Sequence, residues 1–283
     1  MIKPGFEDLK DKTVVITGGA GVIGTAIATG LGMLGMKTVI LDINPEAAQK
    51  TALEVAMKTG SFSMGIAANV LDKQSLLSAK ELINKEVGKI DFLINGAGGN
   101  SPKATTQIEE LNTENIHRLE ASFYGLEMEG FQRVFDLNFL GTLLPSIVLT
   151  TDMLNSGKGA VLNISSLNSF RPLTKIPAYS AAKAAINNFT EWLAVHLAKT
   201  GIRVNAISPG FILTNQNKFL LIDEETGKLK PRGEKIIAGT PMGRFGEAEE
   251  LTGAVAYLLS DTSRFVTGTV LVVDGGFNAY SGV

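Results

Sequence analysis

Seven short runs rich in β-branched and aliphatic residues, at 13–16, 38–41, 63–67, 92–94, 160–164, 203–208 and 269–273, alternate with longer segments of helical patterning. Strands that all run one way need crossovers, and a helix is the usual crossover, so this rhythm predicts a fold class. It is α/β: a doubly wound parallel sheet of about seven strands with helices on both faces. Helices are expected near 22–35, 45–59, 72–87, 127–155, 177–200 and 247–259. Asn44 can cap a helix that opens with Pro45, and Glu247, Glu249 and Glu250 suit the positive end of theirs.

No Ser/Gly linker, biased tract or repeat breaks the rhythm, so residues 1–283 are expected to form a single domain. Segments 99–125 and 211–239 do interrupt it. Both follow strand ends, where open α/β sheets hold ligands, so 99–125 is expected to form a substrate wall and 211–239 a substrate loop or lid. Oligomer contact or a plain surface loop is the other reading of each.

The 26 Lys and Arg against 28 Asp and Glu leave a net charge of −2, which offers no global attraction to nucleic acid or an anionic membrane. The absence of cysteine excludes disulfides, thiolate metal sites and cysteine nucleophiles, and fits a reducing compartment. With an acidic, non-apolar start (Glu7, Asp8) and no uninterrupted run of 18 apolar residues, a cytoplasmic protein with no membrane partner is expected. His117 and His196 lack companions at ligand spacing, so no metal is expected.

Between the first run and the first helix lies Thr17-Gly18-Gly19-Ala20-Gly21-Val22-Ile23-Gly24. Glycines there allow a tight turn and close approach of a pyrophosphate, which the helix's free amides stabilise, so Gly18, Gly21, Val22, Ile23 and Gly24 are candidate dinucleotide contacts. Asp42 ends the second run, where a carboxylate accepts hydrogen bonds from ribose hydroxyls and repels a 2′-phosphate. No Arg or Lys occurs within 13–36 or 38–49 to offset that repulsion, which favours NAD(H) over NADP(H). Asn69 and Val70 lie where adenine could be contacted, and Asn95, Gly96 and Ala97 where backbone could approach the ribose or support a neighbouring strand.

Tyr179 and Lys183 begin a long helix at a spacing of four, which puts both on one face. Interconverting a carbonyl and an alcohol requires a proton relay, and an unperturbed phenol has a pKa near 10. An ammonium about 4 Å away contributes up to about 4 kcal/mol at an effective dielectric near 20, enough to bring the phenol close to neutrality. Lys183 could also hold the nicotinamide ribose. Ser166 closes a predicted strand and could polarise the reacting oxygen, and Asn138 could fix a water or a helix distortion beside Lys183.

This ordered set resembles the short-chain dehydrogenase/reductase family across nearly the whole chain. Ser208-Pro209-Gly210, Thr267-Gly268 and Val273-Asp274-Gly275-Gly276 extend the likeness. The resemblance implies a Rossmann-type fold, an Asn138-Ser166-Tyr179-Lys183 catalytic tetrad and a homotetramer. It also implies that Pro209 and Gly210 border the nicotinamide, with Ile212 and Thr214 near its carboxamide. Two departures stand out: Val22 replaces the middle glycine of the commoner turn, and Gly96 replaces the usual second asparagine.

These departures, with Asn95 to Asn100, Pro241 to Gly246 and the terminal Gly276 to Val283, are similar to a sugar-acid branch, the D-mannonate oxidoreductases (fructuronate reductases). The resemblance implies D-fructuronate and D-mannonate as the reacting pair. A sugar acid needs charge-assisted binding of its carboxylate, for which Arg171 or Lys175 is a candidate, and hydroxyl partners, for which Asn100 and Asn168 are candidates, beside Ser166 and Tyr179. The alternatives are another polyol or sugar-acid dehydrogenase, such as a gluconate 5-dehydrogenase, and a non-catalytic NAD(H) sensor.

Overall fold

The computed structural model describes residues 5–214, 218–223 and 225–282. Each of the seven runs forms a strand: β1 (Thr13–Thr17), β2 (Lys37–Asp42), β3 (Ser63–Ala67), β4 (Phe92–Asn95), β5 (Gly159–Ile164), β6 (Ile202–Pro209) and β7 (Val270–Val273). They make one parallel sheet in the order β3-β2-β1-β4-β5-β6-β7.

Alternate residues of β1 serve opposite sides of this sheet. Val14 and Ile16 join Ile27 and Leu31 of α1 (Val22–Met33), Val55 of α2 (Pro45–Thr59) and Val255 of α10 (Thr252–Leu259). Val15 faces the other way, into a layer with Leu76 of α3 (Lys73–Glu86), Val148 of α5 (Gly141–Leu149) and Leu193 of α7 (Pro177–Leu197). A sheet covered on both faces has no polar side, which is why its strands read as apolar runs rather than as alternation.

The expected helix starts are present. Asn44 Oδ1 accepts from the amides of Glu46 and Ala47 at 3.0 and 3.1 Å, with Pro45 at the first helical position of α2. Glu247 and Glu250 form a reciprocal capping box, although the residues between them make a 3-10 turn that precedes α10.

The segment 127–155 departs from the single helix expected. It consists of α4 (Met128–Phe135), a π-turn (Asp136–Leu140), α5 and α6 (Thr151–Ser156). Asn138 occupies the π-turn, and its Nδ2 donates to the Val134 carbonyl at 2.8 Å and to the Gly99 carbonyl at 2.7 Å, so the side chain bonds within its own distorted helix and ties it to the loop after β4. Thr142, Ser146 and Thr150 follow at four-residue steps, each hydroxyl donating to the carbonyl one turn back at 2.7–2.8 Å.

No uninterrupted apolar run of spanning length was expected, yet averaged over a window of 18 residues Met128–Ser156 has a mean hydropathy of 1.4, enough to span a membrane by length and composition. Half of that window is buried within the fold. Asp152, near its end, is buried and paired with Lys80 Nζ at 3.1 Å.

The carboxyl ends of all seven strands lie on one edge, and strand order reverses between β1 and β4, which opens a crevice there. Segment 99–125 folds into short 3-10 turns beside this edge, and 211–239 supplies α8 (Lys218–Leu221) and α9 (Pro231–Ala238). Residues 215–217 and 224 of the expected lid lie outside the described residues. Lys235 of α9 pairs with Glu109 at 2.9 Å, and the Thr106 amide donates to the Lys175 carbonyl at 2.9 Å, so three loops meet at one mouth.

Candidate active site

The turn after β1 is set by its glycines. Gly18 has φ +61°, and a Cβ on it would come within 2.8 Å of the Ala97 backbone; one on Gly24 would come within 2.7 Å of Gly19. Only glycine lets the turn close onto both α1 and the loop after β4. Gly21 starts α1 without a side-chain cap, so the first-turn amides at Val22, Ile23 and Gly24 are available to an anion.

Asp42, Asn69, Val70, Gly18 and Ala97 line one cavity of about 670 Å³ beside this turn. Asp42 Oδ1 accepts from the Asn44 amide at 3.1 Å, which aims the carboxylate from the strand end. A second cavity, of about 370 Å³, brings together Ile23, Gly24, Gly96, Ser166, Asn168, Tyr179, Lys183, Pro209, Gly210, Ile212 and Thr214. Gly98 lines both, so the two form the halves of one crevice.

Several candidates lie elsewhere. The side chain of Val22 faces a groove with Phe6 and Met33 on the far side of α1, so only its backbone can serve the crevice. Asn95 Nδ2 donates to Ser146 Oγ at 2.9 Å and Asn163 Oδ1 at 2.8 Å, tying β4 to its neighbours from within. Asn138 is fully buried behind Gly98 and Gly99, and its Oδ1 accepts from the Gly99 amide at 3.3 Å, so this wall lies between it and the crevice.

Three substrate candidates fall outside the second cavity, each for a visible reason. Asn100 Nδ2 donates to Thr105 Oγ1 at 2.9 Å, within its own loop. Arg171 Nε donates to the Asn278 carbonyl at 2.9 Å and to its side-chain oxygen at 3.3 Å, which holds the terminal tail. Lys175 sits in the left-handed region, φ +75°, where its carbonyl receives Thr106.

Within the cavity, Tyr179 stands in the first turn of α7 and Lys183 one turn later. Lys183 is 4% exposed, donates to the Ile164 carbonyl at 2.7 Å and lies 5.5 Å from the centre of the Tyr179 ring. Burial pushes the Tyr179 phenol up, opposed by a hydrogen bond with Ser166, and burial lowers the Lys183 ammonium to about 8. The expected fall of the phenol toward neutrality beside Lys183 is therefore not what the fold shows, because burial moves it the other way. The ammonium stands over the Tyr179 ring, and exclusion of water disfavours both charges.

Two residues of this neighbourhood escaped the sequence reading. Asn187, the next step of four after Tyr179 and Lys183, accepts from Ser165 Oγ and donates to Ser169 Oγ at 2.8 Å, pinning the turn that carries Ser166. The continued spacing was its signal. Arg232, in the first turn of α9, lines the cavity of Tyr179; nothing local distinguished it from other basic residues of 211–239.

A family model described as "Enoyl-(Acyl carrier protein) reductase", of the short-chain dehydrogenase/reductase type, matches residues 18–278. The chain belongs to the short-chain dehydrogenase/reductase family. As such it is an oxidoreductase. An uncharacterized oxidoreductase of Haemophilus influenzae is 48% identical over 277 residues, 98% of this chain and 96% of that protein. The crystal structure of a candidate D-mannonate oxidoreductase from Haemophilus influenza, with bound NAD, is also 48% identical, with a TM-score of 0.90 over 98% of this chain and 99% of that one. The 5-keto-D-gluconate 5-reductase of Escherichia coli K12 is a more distant short-chain dehydrogenase/reductase relative, 34% identical over 269 residues, 95% of this chain and 96% of that protein.

Proposed function

We propose that this oxidoreductase uses NAD(H) to interconvert a sugar-acid ketone and its alcohol, with D-fructuronate and D-mannonate as the pair. One observation carries the reading: Tyr179, Ser166 and Lys183 share a cavity that continues, past Gly98, into the one holding Asp42. The nicotinamide half therefore belongs beside Tyr179, and the adenosine half beside Asp42, Asn69 and Val70. The likeness to the NAD-bound candidate D-mannonate oxidoreductase supports both cofactor and substrate class.

NAD(H), when bound, supplies or accepts the hydride. The amides of Val22, Ile23 and Gly24 would hold its pyrophosphate, with Gly18 and Gly21 shaping the turn, Asp42 with Gly96 and Ala97 its adenosine ribose, and Pro209, Gly210, Ile212 and Thr214 the carboxamide end. In reduction, the Tyr179 hydroxyl gives its proton to the carbonyl oxygen as the hydride reaches the carbonyl carbon, leaving a secondary alcohol. Ser166 donates a hydrogen bond that stabilises the charge on the reacting oxygen and then on the phenolate. Lys183 holds the ribose hydroxyls and offsets the phenolate charge, and Asn138 keeps the wall beside Lys183 in place. The raised phenol keeps Tyr179 protonated through neutral pH, the state reduction requires.

The described residues share one sheet, which supports a single domain over 1–283. Trp192 at 58% exposure and Val195 at 81%, on α7, with Ile147 at 53% on α5, support a homotetramer that would cover them. The cysteine-free composition supports a cytoplasmic setting.

Steady NADH consumption across a panel of keto acids tests the reading, with D-fructuronate giving the highest kcat/KM. Best turnover of 5-keto-D-gluconate would replace it with the second reading, which the Escherichia coli relative favours. Tight NADH binding without turnover of any panel member would make the protein a sensor.

A further inference from the structure

An anionic substrate whose carbonyl lies at Tyr179 needs a cation at the other end of the same cavity. The basic side chains around the mouth are mostly engaged. Arg171 is bonded to the terminal tail, Lys235 to Glu109 at 2.9 Å, and Lys230 to the Phe219 carbonyl at 2.8 Å. Arg232 differs on two counts: it lines the cavity, and among the described residues it has no ion pair or side-chain hydrogen bond.

Glu109 feels the charge of Arg232, but its carboxylate is hydrogen-bonded to Lys235, so the guanidinium fork stays open. Arg232 also stands in the first turn of an eight-residue helix, the positive end, where a cation is disfavoured until an anion joins it. An independent observation comes from Asn168. The residue is 6% exposed and lines the same cavity, and its buried Oδ1 has no hydrogen-bond partner. A buried acceptor of that kind calls for a donor from a ligand.

We propose that Arg232 is the specificity-determining residue that receives the substrate's carboxylate, while Asn168 Oδ1 accepts from one of its hydroxyls. The inference rests on the sugar-acid reading above. Two parallel N–H···O bonds from a guanidinium fix both the position and the plane of a carboxylate, so the acid is held at one end with its carbonyl presented at the other. A neutral ketose of equal length, with a hydroxymethyl group in place of the carboxylate, gains nothing from Arg232.

The test uses the full chain with saturating NADH and compares wild type, Arg232→Met and Arg232→Lys on a hexuronic keto acid and on the neutral ketose. For Arg232→Met, KM for the acid should rise by about 10- to 100-fold, the range for a charge-assisted contact, with kcat changed far less. Efficiency on the neutral ketose should stay within about two-fold, NADH affinity by fluorescence titration should hold, and Arg232→Lys should restore part of the acid's KM. If the neutral ketose turns over too slowly, calorimetric binding of acid and ketose to the enzyme with NADH gives the same comparison. Equal losses on acid and ketose, or no loss on either, would overturn the assignment of Arg232. A wild type inert toward every sugar acid would instead overturn the reading on which it rests.

Discussion

Lys183 shows what a buried cation costs a folded chain. Its ammonium falls from an ordinary 10.5 to about 8 because it is buried, so the folded protein gives up that proton more readily than the unfolded chain. The unfolded chain therefore binds more protons between about pH 8 and 10.5, and stability from this group rises with pH across that window. Below it the full penalty applies, about 3 kcal/mol, against which the bond to the Ile164 carbonyl returns about 1 kcal/mol. Lys183→Met should accordingly be about 2 kcal/mol more stable than wild type at pH 7, with the gap closing by about pH 10.5; urea unfolding at both pH values measures it. Tyr179→Phe keeps the ring and loses the proton, so turnover should fall by about 10² to 10⁴ while NADH titrates as before; undiminished turnover would remove Tyr179 from the proton relay. The spacing of Tyr179 and Lys183 was legible because one helical turn is a local property. The direction of the phenol's shift was not, since it depends on water excluded by residues distant in sequence.

At the level of elements, strands were more legible than the longest helix. Each strand is a local apolar run covered on both faces, whereas the breaks in 127–155 follow from Asn138, whose partners include Gly99, 39 positions away. The far end of this segment carries Asp152, which is 3% exposed, pairs with Lys80 and accepts from the Ile90 amide at 3.3 Å. Removing one member of a buried pair strands the other, so Asp152→Ala should cost about 3 kcal/mol. Asp152 follows α5 and precedes β5, at the edge of the sheet opposite the crevice, so kcat per folded molecule should be unchanged. A stability loss below about 0.5 kcal/mol in denaturant titration would mean that the pair is effectively solvated.

For the whole molecule, the sheet's carboxyl edge holds the crevice while the opposite edge holds buried pairs such as Asp152 with Lys80. Trp192 stacks on His196 at 4.9 Å and is exposed beside Val195, a face apolar enough to seek a second copy. Light scattering should give about four times the 30.0 kDa chain mass for wild type and a smaller species for Trp192→Glu; tetramers from both would place the contact elsewhere. The convergence of 99–125, the loop after β5 and α9 at one mouth had only its general location in the sequence. Which side chains meet there depends on tertiary contacts such as Glu109 with Lys235.

Strand order also bears on synthesis. β1 lies between β2 and β4, and its Val14 pairs with Phe92 on one side and Thr38 on the other. A ribosome delivers β2 early but β4 only after the 49 residues from 43 to 91, so a growing chain presents one open edge of Val14-Val15-Ile16 throughout that interval. Such an edge is a template for wrong partners, which makes the nascent form more vulnerable to aggregation than the finished molecule and a natural client for a chaperone.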